Sequence, residues 1–258
     1  MMLSPKSKMV LTAMALTGAN ATAINKNRDN MRDVTNIIDI KNLSLNLTGP
    51  NGKQVNILHN VNLNVQAGES VSIVGPSGSG KTSLMMLISG VEKTTSGQIE
   101  VAGQDIAHYD EDELAAFRGA NIGVVFQNFH LIPTMTAFEN VSVSLELAGH
   151  KDTEQKAKDS LKAVGLEQRM DHYPEQLSGG EQQRVAIARA FATHPKILLA
   201  DEPTGNLDSE TGQVIIDLLF SLTEQYGTTL VLITHDEKLA NKTSRKLVMK
   251  DGVLNADA

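Results

Sequence analysis

The chain has no cysteine among its 258 residues, so disulfides and thiolate metal sites are excluded and a reducing compartment is allowed. Tryptophan is absent too, and the aromatics amount to three tyrosines and six phenylalanines. The first of them is Tyr109, so nothing earlier offers a phenyl or phenol ring. No apolar run reaches the roughly 18–20 residues that span a bilayer. The best candidate, Met9 to Ala23, is diluted by Thr, Gly and Asn. Lys6 and Lys8 before it and Ala19-Asn20-Ala21 after it give a faint likeness to a secretory leader. The simpler reading is a flexible N-terminal extension over residues 1–36, polar and unpatterned. An excess of positive charge is also missing: 23 Lys and Arg face 30 Asp and Glu, a net charge of −7. That balance argues against a nucleic-acid partner, whose phosphates need clustered cations.

What is present suits a soluble globular protein, with 41% hydrophobic and 21% charged residues, long enough for one α/β domain. Order is expected to begin near Ile37-Ile38-Asp39-Ile40, and Gly49-Pro50-Asn51-Gly52 is a turn signal between two extended segments. Val61, Leu63 and Val65 alternate with Asn62 and Asn64, a strand with one buried face. An antiparallel β subdomain therefore opens the ordered part. Val71 to Val74, Ile197 to Leu199 and Thr229 to Ile233 are short runs of a different kind, apolar or nearly so throughout. Such strands belong to a parallel sheet buried on both faces. Between them Asp152 to Val164 is helical, with Ala157, Leu161 and Val164 on one side. Periodicity thus gives an α/β domain over residues 37–258 with a helical insertion at about 128–195.

Gly75-Pro76-Ser77-Gly78-Ser79-Gly80-Lys81-Thr82 fits the phosphate-loop pattern, between the strand Val71 to Val74 and a helix over Thr82 to Ser89 that Gly90 ends. Its glycines let backbone N–H groups turn toward a triphosphate, and the helix N-terminus adds positive potential. Lys81 can reach the β- and γ-phosphates, and Thr82 offers a hydroxyl to Mg²⁺. Ser83, on the first turn of that helix, completes the nucleotide-binding candidates here. A second signal is Ile197-Leu198-Leu199-Ala200-Asp201-Glu202, an apolar strand ending in two carboxylates. Ligands bind at the carboxyl ends of parallel strands, so Asp201 is a metal candidate and Glu202 a candidate base for water.

Leu177-Ser178-Gly179-Gly180-Glu181-Gln182-Gln183 precedes a helical run from Arg184 to Thr193. Ser178 is a good N-cap, and the glycines leave N–H groups bare, so Ser178, Gly179 and Gly180 form a second anion site. A simple capped helix is the alternative. If both sites grip one γ-phosphate but lie on different faces, two chains must meet head to tail around it. Of the seven histidines, His235 stands out because it follows the strand Thr229 to Ile233, on the edge that carries Asp201. His59, His108, His150, His172 and His194 are read as having no chemical role.

Taken together, these motifs resemble the ATP-binding-cassette ATPases. GPSGSGKT and ILLADE look like their Walker A and Walker B motifs, and LSGGEQQ like their signature motif. The resemblance implies a P-loop NTPase with a RecA-like core, working as an ATP-dependent homodimer with Mg²⁺. It implies that Gln127 is the glutamine that touches Mg²⁺ and reports to a partner. It makes Asn206-Leu207-Asp208 the loop that crosses the dimer interface, with Asp208 near nucleotide. It makes His235 the residue that contacts the γ-phosphate, so that Glu202, His235 and Lys81 are the catalytic candidates. Phe126 to Thr134, Ala137 to Val141 and Asp201 to Asp208 resemble the MacB-, LolD- and FtsE-like group. That likeness implies an integral membrane permease as partner and a place on the cytoplasmic face of the inner membrane. A soluble cassette without a transporter is the rival class; about fifty residues between Gln127 and Leu177 are too few for a long coiled coil. In one respect the chain departs from the family, whose members stack adenine on an aromatic. The corresponding stretch here is near Leu47-Thr48, so weaker or less base-selective nucleotide binding is expected.

Overall fold

A computed structural model of the chain describes residues 36–48 and 52–256. The proposed extension over residues 1–36 therefore lies outside the described residues apart from Asn36, as do the first three residues of the Gly49–Gly52 turn. Two antiparallel strands open the structure, β1 (Asn36–Thr48) and β2 (Gln54–Gln66). They join β4 (Ser96–Val101) and β5 (Gln104–Asp105) in a four-stranded sheet of order β2-β1-β4-β5. Val61, Leu63 and Val65 are buried while Asn62 and Asn64 are exposed, as the alternation predicts.

The second sheet has six strands. They are β3 (Ser70–Val74), β6 (Ile122–Phe126), β7 (Ile197–Asp201), β8 (Thr229–Ile233), β9 (Arg245–Lys250) and β10 (Val253–Ala256). Their spatial order is β10-β9-β3-β8-β7-β6, with every pairing from β9 to β6 parallel and β10 antiparallel to β9. Successive residues of its strands face different cores. Ile197 and Leu199 join the cluster on the side of the antiparallel sheet, whereas Leu198 and Ala200 join the helical cluster on the other. Burial on both faces explains why β7 and β8 carry apolar side chains at nearly every position.

Helices α1 (Lys81–Ile88) and α2 (Glu111–Asn121) lie on the first side, where Leu84, Leu87, Leu114 and Phe117 are buried. On the other side pack α3 (Ala137–Leu147), α4 (Thr153–Ala163), α5 (Gly179–Phe191) and α6 (Ser209–Tyr226). A short α7 (Glu237–Ala240) follows β8. Capping fixes several starts. Thr136 with Glu139, and Ser178 with Glu181, form reciprocal capping boxes, and Asp208 accepts from the N–H groups of Glu210 and Thr211. Helix α5 begins five residues before the predicted Arg184, because the Ser178 cap draws both glycines into its first turn. It ends at Phe191, two residues before the predicted Thr193.

Candidate functional site

Four neighbouring strands, β3, β8, β7 and β6, end at one edge of the parallel sheet, with Asp201 in register with Ile233 and with Phe126. The four segments that leave them carry the phosphate loop, His235, the Asp201-Glu202 pair and Gln127. Together they line a cleft of about 680 Å³, whose walls include Gly75, Pro76, Ser77, Gly78, Gly80, Lys81, Thr82, Ser83, Gln127, Asp201, Glu202 and His235.

The loop after β3 needs its first glycine. Gly75 has φ +151°, and a Cβ there would sit 2.0 Å from the Met249 carbonyl oxygen on β9. The backbone thus runs against the neighbouring strand and turns back over Lys81. Lys81 is nearly buried, and its Nζ donates to the carbonyl oxygens of Gly75 and Pro76, each at 2.9 Å. The ammonium is therefore held inside the curve of the loop, where a phosphate would meet it. Ser79 is 3% exposed and its hydroxyl has no hydrogen-bond partner among the described residues. It turns inward rather than into the cleft.

Thr82 Oγ1 donates to Asp201 Oδ2 at 2.9 Å, which joins the first turn of α1 to the end of β7. Burial raises the Asp201 carboxyl above its ordinary range; the Thr82 hydrogen bond opposes this, and the Glu202 charge adds to it. Glu202, one residue on, has left-handed backbone at φ +46° and is pinned by its N–H to the Ile233 carbonyl at 2.9 Å. A non-glycine residue in that region is strained, and the strain falls where the chemistry is expected. Its Oε1 lies 2.8 Å from His235 Nδ1. The carboxylate can only accept, so Nδ1 carries the proton in this contact.

Gln127 is held from one side by Asn206. Gln127 Nε2 donates to Asn206 Oδ1 at 3.1 Å, and Asn206 Nδ2 donates back to the Gln127 carbonyl at 3.1 Å. Gly205 makes room, since a Cβ there would come within 2.6 Å of Gln127 Nε2. With its nitrogen bonded to Asn206, the Gln127 amide oxygen is the atom left for a metal. Thr82, Asp201 and Gln127 then offer oxygen donors alone, a hard set suited to Mg²⁺.

Ser178 and Gly180 lie elsewhere. They line a separate depression of about 280 Å³ with Glu181, Arg184, Glu210 and Thr211. Gly179 lies between them in the chain, and a Cβ placed on it would come within 3.3 Å of Leu207 and 3.8 Å of Phe129. Ser178 Oγ donates to Glu181 Oε2 at 2.9 Å, and Glu181 Oε1 accepts from Arg169 Nε at 3.0 Å. The Ser178 backbone N–H, then Arg169, hold the Glu181 carboxyl down at about 2. Asp208 lines a third depression, with Glu202 and His235, and its carboxylate caps α6. The chain therefore gathers the phosphate loop, Gln127, Asp201, Glu202 and His235 in one cleft, and leaves Ser178, Gly179, Gly180 and Asp208 outside it.

Three contributions escape a reading by motif, although Gln183 and Asn206 themselves lie in motifs. Gln183 is fully buried, and its Nε2 donates to the Pro203 carbonyl at 2.6 Å, tying α5 to the loop after Glu202. Ile57 gives the cleft an aliphatic wall where the sequence lacks a ring. Asn206 is the partner that orients Gln127. The Gln183 and Asn206 contacts join residues 20 and 79 positions apart, and no local pattern announces them or the place of Ile57.

This cleft, at the carboxyl ends of a parallel sheet and walled by a strand–loop–helix phosphate cradle, defines a P-loop nucleoside triphosphatase. The chain belongs to the ABC transporter family, as its ATP-binding, ATP-hydrolysing subunit: a family model described as ABC transporter matches residues 58–205. The chain is 45% identical over 225 residues to the Escherichia coli K12 ABC transporter ATP-binding protein YbbA, across 86% of this chain and 98% of that protein. It is 46% identical over 208 residues to the lipoprotein-releasing system ATP-binding protein LolD of Idiomarina loihiensis, across 80% of this chain and 91% of that one. Among solved structures, the dimeric post-hydrolysis state of the ATP-binding cassette MJ0796, bound to ADP and Pi, superposes with a TM-score of 0.78. The identity is 42%, over 84% of this chain and 96% of that one. Among the described residues no helix is long and apolar enough to cross a membrane.

Proposed function

We propose that two copies of this chain close head to tail on ATP, and that hydrolysis between them drives an integral membrane permease. The observation that carries the reading is the separation of the two anion sites. The phosphate loop and the Ser178–Gly180 helix end open on different depressions of one chain, so a single copy does not surround a γ-phosphate. A twofold dimer brings the second site of one copy to the first of the other. The MJ0796 cassette is dimeric, which supports the same arrangement.

In this scheme the backbone N–H groups of Ser77, Gly78, Gly80 and Lys81 and the Lys81 ammonium hold the phosphates. Thr82, Asp201 and Gln127 would hold Mg²⁺, which neutralises phosphate charge when bound. Ser178, Gly179 and Gly180 of the second copy present a helix N-terminus to the γ-phosphate, and Asp208 lies at the seam. Charges and dipoles are then aimed where phosphoryl transfer develops charge. Glu202 orients and deprotonates water, and His235 fixes the Glu202 carboxylate and contacts the γ-phosphate. Loss of that phosphate removes what both helix ends hold, and the dimer opens.

Exposed Ile132 and Tyr173 flank the start of α3, where Ala137 N–H donates to the His172 carbonyl. They give this region an apolar face for a permease, as LolD's place in a lipoprotein-releasing system suggests for a related chain. The chain then works at the cytoplasmic face of the inner membrane, held there by its partner. Replacing Glu202 with Gln tests the assignment. ATP binding should persist while turnover falls about 10²–10⁴-fold; an unchanged hydrolysis rate would refute it.

A further inference from the structure

The segment leaving β6 turns through two consecutive non-glycine residues in the left-handed region, Phe129 at φ +58° and His130 at φ +49°. Side chains with a Cβ avoid that region, and two in succession persist only where the surroundings hold them. One side chain holds both. Arg189 Nη2 donates to the Phe129 carbonyl at 2.9 Å and Nη1 to the His130 carbonyl at 2.7 Å. The planar fork of a guanidinium suits two adjacent acceptors, and its charge strengthens both bonds. Arg189 belongs to the last turn of α5, the helix that Ser178 caps at its other end, roughly 16 Å away along the axis. The same turn also meets the start of that helix, because the Phe129 ring comes within 3.8 Å of a Cβ placed on Gly179. Just upstream, Asn206 binds the Gln127 carbonyl and the Asn128 side chain. Just downstream, buried Asn140 accepts from the Ile132 N–H at 2.8 Å and donates to the Ile132 and Met135 carbonyls.

We propose that Arg189 is a positioning residue for ATP hydrolysis: it holds the left-handed turn at Phe129 and His130, and so fixes the direction from which Gln127 enters the cleft. Since α5 is one rigid element, a load placed on Ser178 by a second copy reaches Gln127 through this fork. The proposal rests on the ATPase reading and adds a residue that does not line the cleft.

The test uses the purified full chain, with phosphate release followed against ATP concentration. Arg189→Gln is expected to lower kcat about tenfold while changing KM less than about twofold, the size expected of a coupling contact. Adding His130→Gly, which accepts the left-handed conformation without a Cβ, should restore turnover about fivefold. His130→Gly alone should change turnover less than about twofold. Unchanged kcat in Arg189→Gln, or a loss that His130→Gly leaves in place, would overturn the proposal. If Arg189→Gln does not fold, Arg189→Lys takes its place. A lysine satisfies one carbonyl but not both in that geometry, so a smaller loss with the same recovery is expected, and no recovery overturns the proposal. A parent chain without ATP turnover would sink the ATPase assignment and this inference together.

Discussion

Glu202 Oε1 and His235 Nδ1 meet at 2.8 Å across the ends of β7 and β8, and the histidine side chain is otherwise largely open, 76% exposed against 19% for the glutamate. The contact leaves Glu202 with one oriented carboxylate and His235 with its second nitrogen free to face a ligand. His235→Ala should therefore reduce turnover by about 10²-fold, less than Glu202→Gln does at its upper range, because the base remains and only its orientation is lost. Phosphate release under single-turnover conditions measures both. Equal activity of His235→Ala and the parent would remove His235 from the mechanism.

Asp201 is costly to the empty protein. Burial raises its carboxyl, so its contribution to folding is greatest below the unfolded carboxylate range and declines as pH rises through its folded value. Asp201→Asn keeps an oxygen to accept from Thr82 and removes the buried charge. At neutral pH the substituted chain should melt a few degrees higher than its parent without nucleotide. It should also lose most Mg²⁺-dependent turnover. Calorimetry at pH 7 and at pH 3 checks the sign, since the gain should shrink at the lower pH. Destabilisation at pH 7 would contradict it.

Glu181 behaves in the opposite sense. Its carboxyl is held at about 2 by the Ser178 N–H and Arg169, so its stabilisation is present above the unfolded value near 4.5 and is lost as pH falls toward 2. Glu181→Gln should cost about 1 kcal/mol at pH 7, the worth of a helix cap, and nothing near pH 2. Melting curves of the two chains should converge in acid. Curves that stay parallel would show that this carboxylate does not titrate with folding.

Ile57 walls the cleft, and the hairpin it belongs to presents Leu47 and Val55, paired across β1 and β2 and 42% and 47% exposed. Aliphatic groups neither stack strongly nor read hydrogen bonds. ATP and GTP should therefore differ in KM by no more than about threefold, and Leu47→Tyr should tighten ATP by roughly fivefold, the worth of one aromatic contact. Titration with both nucleotides decides it. Strong discrimination by the parent would mean that another element reads the base.

Much of the fold and of the cleft is legible in the amino-acid sequence. The phosphate loop is eight contiguous residues whose chemistry is local. The paired carboxylates after Ile197 to Ala200 announce themselves because a doubly buried strand ends there. Helix α4 is one residue shorter at each end than the predicted Asp152 to Val164, because periodicity marks the buried face and not the caps. The helical pattern starts α5 too late because glycines weaken it, and only the Ser178–Glu181 box shows that they belong to the helix. The roles of Gln183, Arg189 and Asn206 are not legible. Gln183 meets Pro203 across 20 residues, Asn206 meets Gln127 across 79, and Arg189 meets Phe129 across 60. Gln183 and Asn206 fall inside motifs, but the motifs do not name the partners that the fold gives them, and Arg189 looks like an ordinary polar position until the fold joins it to the turn.

The central claim is that Ser178 of one copy completes the phosphate site of another. Sedimentation of Glu202→Gln with and without Mg-ATP, alone and combined with Ser178→Arg, tests it directly. The account predicts monomers without nucleotide, a dimer when Glu202→Gln binds ATP, and monomers again in the doubly substituted chain, which should still bind ATP. A dimer that survives Ser178→Arg, or a Glu202→Gln chain that stays monomeric with ATP bound, would contradict it.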